Sequence, residues 1–382
     1  MKIRLPGPDG RLVEHAMRAT PLVARPLGNE PARRVLAAAH VVADPFADPG
    51  PDGPAGIDWE ATLDFRCHLA GLGLGIAEAM DTAQRGMGLG WPEARELIGR
   101  TRAALPDARV FSGAGTDQLD PGDARSLDDV RRAYAEQTDA IQALGGRLIV
   151  MASRALARVA RGPDDYVRLY GDVLGDCERP VILHWLGEMF DPALAGYWGA
   201  EGFEGAVETC LRVIDENRER VDGIKVSLLD EDKEIALRRR LPDGVRMYTG
   251  DDFNYPELIE GDEHGHSDAL LGIFDPLAAH AAEAVGRLGD GDVEGFRATL
   301  DPTVALARLI FRAPTRHYKT GVVFLAWLNG FQRHFVMVGG AQSARPLSDL
   351  VEIFRLADAC GALRDPELAV ERMRRLLALH GL

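Results

Sequence analysis

The sequence predicts an α/β fold, a (β/α)8 TIM barrel with a C-terminal helical extension and a short N-terminal appendage. Short apolar runs alternate with amphipathic helical stretches from residue 34 onward. The apolar runs are nearly continuous, as in parallel strands covered on both faces. Eight such strand–helix units follow one another in about 250 residues, which indicates a closed barrel over an open doubly wound sheet.

The elements follow in order. Residues 1–30 are an appendage, with 2–6 and 11–15 paired as a hairpin around the turn Gly7-Pro8-Asp9-Gly10. The stretch 43–56, rich in Pro, Gly and Asp, is a loop. The barrel occupies 31–291, with strands expected at 34–42, 73–80, 108–115, 147–153, 180–186, 221–228, 245–251 and 266–273. A helix at 91–105 has Pro92 in its first turn. Another at 126–144 opens on a Ser126 cap followed by Asp128 and Asp129. Helices at 203–218 and 230–241 come later. Gly71, Gly73 and Gly75 precede a strand and do not open a helix, so a dinucleotide-binding G-x-G-x-x-G turn has no place here. After the eighth strand, helical spacing recurs at 275–288, 292–311, 318–333, 347–359 and 365–379. One barrel unit needs far less, so 292–382 is expected to form a helical subdomain.

The charge balance of 44 basic against 59 acidic side chains gives −15. Nucleic-acid backbones and anionic lipid surfaces repel such a surface, so neither is an expected partner. Cys67, Cys177, Cys210 and Cys360 are scattered without a C-x-x-C pair and are expected to be reduced thiols. No apolar run approaches the roughly 20 residues that span a bilayer, and residues 1–5 are not followed by an apolar export segment. A soluble, cytoplasmic protein with no membrane partner is expected.

Barrel enzymes carry their reactive groups at the C-terminal ends of strands and in the loops that follow. The unusual residues there are Asp81 and Thr82, Thr116 and Asp117, Ser153 and Arg154, His184 and Trp185, Lys225, and Asp251 and Asp252. Lys225 lies inside the apolar strand Val221-Asp222-Gly223-Ile224-Lys225-Val226-Ser227-Leu228. Burial disfavours its charged form, and a neutral amine attacks carbonyls. The bland reading is a lysine paired with Asp251 or another buried carboxylate, purely for stability. His184 ends the neighbouring strand and titrates near neutrality, as a proton carrier should; it could equally be a core histidine. The segment from Gly261 to Asp268 holds two histidines and three carboxylates, matches no zinc spacing, and is expected to be a solvated loop. His317, with Arg316 and Lys319, forms a small basic cluster that reaches the pocket mouth, holds an anion, or simply starts a helix.

Gly223-Ile224-Lys225, followed by Thr249-Gly250-Asp251-Asp252, resembles the dihydrodipicolinate synthase / N-acetylneuraminate lyase superfamily of class I aldolase barrels. Ser112-Gly113-Ala114-Gly115-Thr116 resembles the family's third strand, and the segment 269–273, with Leu271, stands at its eighth. The similarity runs from about residue 34 to 329 and, more narrowly, points to an uncharacterised dihydrodipicolinate synthase-like branch. The resemblance implies that Lys225 forms a Schiff base with a 2-oxo acid, without cofactor or metal, in a homo-oligomer, commonly a dimer or tetramer.

The departures are specific. The family's second strand ends in a G-T-T-G-E turn that holds the oxo-acid carboxylate. Here it reads Asp81-Thr82-Ala83-Gln84-Arg85-Gly86, so Thr82 matches one threonine, and Arg85 or Gln84 is the candidate replacement. His184 stands where the family has its proton-relay tyrosine. Glu188 and Met189 stand where the synthases place a substrate-binding arginine, which argues against lysine biosynthesis. Ser153 and Arg154 replace an aromatic run.

The expected function is therefore a Schiff-base lyase or aldolase acting on a small 2-oxo acid or sugar-acid-derived oxo compound. Lys225 is the nucleophile and His184 the proton relay; Asp81, Thr82, Thr116, Ser153, Arg154, Trp185, Asp251, Asp252 and Leu271 surround the substrate. A metal-dependent isomerase or hydrolase using Asp81, Asp251 and His184, and a sugar-acid-binding barrel without catalysis, are the alternatives.

Overall fold

The computed structural model describes residues 1–7, 9–18, 20–47 and 55–382. Strands β1 (Lys2–Pro6) and β2 (Leu12–Ala16) pair antiparallel as the expected hairpin. Pro8 of its turn, and residues 48–54 of the expected loop 43–56, lie outside the described residues. The hairpin is seated on the C-terminal helices. Ile3 and Leu5 are buried, His15 Nε2 lies 2.9 Å from Asp358, and Arg355 donates to the carbonyl of Pro6 at 3.1 Å.

Eight parallel strands then close a barrel: β3 (Val35–Ala38), β4 (Gly75–Glu78), β5 (Val110–Ala114), β6 (Arg147–Val150), β7 (Val181–Leu186), β8 (Val221–Ser227), β9 (Arg246–Thr249) and β10 (Asp268–Leu271). Each lies inside its expected range. β10 hydrogen-bonds β3 and completes the ring. Alternate side chains point inward: Leu36, Ala38, Ala77, Phe111, Ile149, Ile182, Tyr248 and Leu270 pack together along the axis. The other parity packs under the helices. At the N-terminal end, Tyr248 Oη donates to Asp222 at 2.6 Å and Arg34 Nη1 donates to the same carboxylate at 2.9 Å, which closes the bottom of the barrel.

The helix Leu127–Ala143 opens on the expected capping box of Ser126 and Asp129. The expected helix 292–311 is instead two, Val293–Leu300 and Val304–Ile310, joined by a 3-10 turn at Asp301–Thr303. Pro302 has no N–H to give and its ring blocks the preceding turn. The helix expected at 318–333 stops at Leu328, and Gly330 follows with φ +83°. All eleven residues of Tyr318–Leu328 are buried. A helix apolar all round is covered on every side, and this one is enclosed by the structure, so its N-terminal end also begins in the interior.

One buried acid sets a pH dependence of stability. Glu234, on the helix Glu231–Arg238, accepts from Ser267 Oγ at 2.7 Å, and its Oε2 is buried with no partner among the described residues. Burial pushes its carboxyl up to about 8. Below pH about 4.5 the folded and unfolded states are both protonated. Between about 4.5 and 8 the unfolded chain ionises while the folded one keeps its proton, so stability is lost as pH rises through that window. Glu234→Gln is expected to raise stability at pH 8 by on the order of a few kcal/mol and to change little at pH 4.5. Urea titrations at the two pH values check this; an equal effect at both contradicts it.

Candidate active site

The site is built at the C-terminal ends of the strands from two adjacent ones. On β8, Ile224 and Val226 pack outward under helices, so Gly223, Lys225 and Ser227 face the axis. His184 on β7 stands directly across from Lys225 in the strand register, and Tyr248 on β9 stands on the other side. Lys225 is 8% exposed, and its amine has no hydrogen bond or ion pair with any described residue. Burial lowers the pKa of the amine, while the charges of Asp252 and Asp81 partly oppose that shift. Its stem lies along Gly250. A Cβ there would come within 2.8 Å of Lys225 Cε and would strike Ser227 Oγ, so this position admits no side chain.

His184 is buried. Its Nε2 lies 3.4 Å from Ser227 Oγ, and its Nδ1 has no partner among the described residues. Burial and the Lys225 charge together hold its pKa well below the usual histidine value, so the ring is neutral at physiological pH. Beside it opens a cavity of about 80 Å³ lined by Asp81, Thr116, Met151, Arg154, His184 and Asp191 among others. Lys225, across the strand pair from His184, is not among the residues that line this cavity.

The two aspartates that follow β9 separate cleanly. Asp252 Oδ1 accepts the backbone N–H of Ile273 at 2.8 Å, and burial raises its carboxyl. Asp251 turns away and accepts from the backbones of Phe253 and Asn254 at 2.8 and 3.1 Å and from Asn254 Nδ2 at 2.8 Å. It caps the following turn, so the expected pairing of Asp251 with Lys225 does not occur; Asp252 is the residue whose charge acts on the amine. With Asp251 turned away, the set Asp81, Asp251 and His184 does not assemble. Among the described residues no three His, Cys, Asp or Glu side chains converge as a metal site would require.

The other expected residues divide in the same way. Asp81 lines the cavity. Thr82 Oγ1 is 2.8 Å from Tyr318 Oη, at the start of the buried helix Tyr318–Leu328. Tyr318 stacks on Phe311 at 4.3 Å, both rings close over Gly272 at the end of β10, and burial with the Asp81 charge raises its phenol well above 10. Thr116 Oγ1 is 2.6 Å from Ser153 Oγ, which also caps the helix Arg154–Val159. Arg154 lines the cavity and is paired with Asp191.

Two expectations are corrected by strand parity. Trp185 follows His184, points to the opposite face and packs on Trp198 and Phe203 at ring distances of 5.8 and 5.9 Å. Leu271 likewise belongs to the outer layer, while Leu270 faces the barrel interior. Neither reaches the cavity. A third correction concerns the turn after β4. Arg85 pairs with Asp117, donates to the carbonyls of Ala79 and Gly113 at 3.2 and 3.1 Å, and donates to Gln137 at 2.9 Å. Gln84 donates to the carbonyls of Met87 and Val338. Both are consumed by the scaffold and neither replaces the missing carboxylate turn. Of the segment expected as a solvated loop, residues 261–266 are a surface loop where Arg238 and Arg239 pair with Asp262, whereas Ser267 and Asp268, the first residue of β10, are buried.

The sequence over residues 3–382 matches a protein family described as "Protein of unknown function (DUF993)". The chain belongs to this family. Among proteins with curated descriptions, none matches. Solved structures share the fold. The 4-hydroxy-tetrahydrodipicolinate synthase of Methylacidiphilum fumariolicum SolV is 16% identical with a TM-score of 0.64, covering 89% of this chain and 99% of its own. YagE, a prophage protein of E. coli K12 from the dihydrodipicolinic acid synthase family, solved with pyruvate, is 13% identical with a TM-score of 0.64, covering 91% and 99%. The dihydrodipicolinate synthase of Aquifex aeolicus is 12% identical with a TM-score of 0.63, covering 87% and 99%. The DUF993 chain thus has the fold of the dihydrodipicolinate synthase structures. Among the described residues no helix is long and apolar enough to cross a membrane.

Proposed function

We propose that this protein is a lysine-dependent lyase or aldolase acting on a small 2-oxo acid or a sugar-acid-derived oxo compound. The observation that carries the proposal is the amine of Lys225, buried and without a polar partner among the described residues, directly across the strand pair from a neutral imidazole. An unpaired buried cation is costly. The amine escapes that cost in its neutral form, which is the nucleophilic one. That YagE shares the fold and was solved with pyruvate supports an oxo-acid substrate.

In this reading Lys225 rotates past His184 toward the cavity and attacks the substrate carbonyl carbon. The carbinolamine loses its oxygen as water, with Asp252 or Tyr318 supplying the proton. The iminium formed withdraws electrons from the neighbouring carbon, so a bond one carbon further away breaks or a β-hydroxyl leaves. His184 accepts and returns the proton at its free Nδ1. Asp81 and Arg154 contact the substrate from the cavity wall; Thr116 and Ser153 hold each other and shape that wall.

Incubation with a panel of 2-oxo acids and borohydride should add the reduced substrate mass to the peptide carrying Lys225; no adduct with any oxo compound sinks the proposal. His184→Phe is expected to keep the adduct and to lower turnover by about 10²–10⁴-fold. Since the imidazole stays neutral, the wild-type rate should show no inflection near pH 6.5. An inflection there that the variant abolishes would put a charged His184 in the mechanism and contradict this role.

A further inference from the structure

The chain contains 44 basic side chains, of which Lys2, Lys225, Lys233 and Lys319 alone are lysines. Lys2 and Lys233 make surface ion pairs with Glu14 and Asp230. The other two are buried, and both lie at the C-terminal face of the barrel. Lys319 is 5% exposed and enters from the first turn of the helix Tyr318–Leu328. Its Nζ donates to the carbonyl of Arg316 at 3.2 Å and touches Met87 Sδ at 3.3 Å. It has no ion pair within the described residues.

With one carbonyl, one sulfur and the face of the Tyr318 ring, 4.7 Å from Nζ to the ring centroid, as partners, the buried ammonium still keeps one N–H and an unpaired charge. The surrounding charges are those of the site itself. The charge of Asp81, which also acts on Lys225, is felt by Lys319, as are those of Arg154, Asp191 and Arg316. Asp81, Arg154 and Asp191 line the cavity, as does Gly86, next to the Met87 that Lys319 touches. The other cations near the cavity are engaged, Arg85 by Asp117 and Gln137 and Arg154 by Asp191. Burial brings the Lys319 amine down to about 8, so it is largely charged at neutral pH.

We propose that Lys319 is the anion-recognition residue of this cavity: its ammonium receives the carboxylate of the oxo acid whose carbonyl meets Lys225. The turn after β4 holds no free side-chain cation, Thr82 is occupied by Tyr318, and the C-terminal extension supplies the charge instead. Only the placement of the carbonyl rests on the imine reading; the anion site rests on Lys319, which touches Met87 beside the cavity-lining Gly86 and, not lining the cavity itself, turns into it to meet the anion.

The test compares pyruvate with its neutral methyl ester in borohydride trapping, and measures binding of oxamate, an amide that forms no imine, by calorimetry. Lys319→Met should raise the pyruvate concentration for half-trapping by at least ten-fold, leave methyl pyruvate unchanged, and weaken oxamate binding by a similar factor. Lys319→Arg keeps a cation and should retain most of the preference for the acid. Equal shifts for acid and ester, no shift for either, or a wild type that binds no oxamate would overturn the proposal. Should neither carbonyl probe be trapped while oxamate binds and is lost in Lys319→Met, the imine reading fails and the anion site stands.

Discussion

Replacing Lys225 by methionine is expected to abolish borohydride adducts and to lower turnover by on the order of 10⁴-fold or more, while the protein becomes no less stable. Methionine occupies a similar volume and needs no hydration. The wild-type amine has no hydrogen bond or ion pair among the described residues to lose, so the fold gives up nothing with it. A neutral amine leaves Asp252 protonated and in no need of a cation; a lysine kept as the charged partner of an ionised Asp252 would behave in the opposite way, because its removal would leave that carboxylate buried against no cation. Chemical denaturation and trapping on the same variant separate the two. Destabilisation by more than about 2 kcal/mol would assign Lys225 to the scaffold.

Arg85→Met should be the most destabilising change near the site, at about 3–5 kcal/mol. The guanidinium ties together the ends of β4 and β5 through the carbonyls of Ala79 and Gly113, and ties both to the helix Leu127–Ala143 through Gln137. Removing it strands two strand-end carbonyls and leaves Asp117 without the cation that, with hydrogen bonds from Arg85 and Gln137, holds its carboxyl below the usual range. The loss should be largest near neutral pH and shrink as pH falls, since a protonated Asp117 no longer needs its partner. Thermal unfolding at pH 7 and pH 4 measures this; a loss under about 1 kcal/mol would mean that the arginine is free for a ligand after all.

The strand pattern was legible because each barrel strand is a short apolar run bounded by turn residues, and position at a strand end brought Asp81, His184, Lys225 and Asp252 forward. The facing of each strand residue follows from alternation. Neighbouring residues in a strand point to opposite sides, so a cavity-facing His184 excludes Trp185 at once, and Leu270 and Leu271 cannot both face the axis. Arg85 was unreadable for another reason: its five donors are met by atoms from several separate segments, a closure that only tertiary structure supplies. Tyr318 and Lys319 lie beyond the barrel; the basic cluster Arg316, His317 and Lys319 allowed a return to the pocket mouth, but an ordinary helix start has the same pattern. A second sign is that the helix they begin has no solvent face, so its first turn lies among buried groups. The helix Trp59–Gly71 escaped because its buried side mixes Phe65 and Leu69 with Thr62 and Arg66, the latter paired with the buried Glu78, which breaks up the apolar stripe.

The most direct test is a crystal of the protein soaked with pyruvate. The account predicts density continuous from Lys225 Nζ to the keto carbon, with the adduct beside His184 and its carboxylate toward Lys319. An oxo acid bound in the cavity with the Lys225 amine out of reach behind the imidazole, or a Lys225 side chain directed among the outer helices, would contradict it.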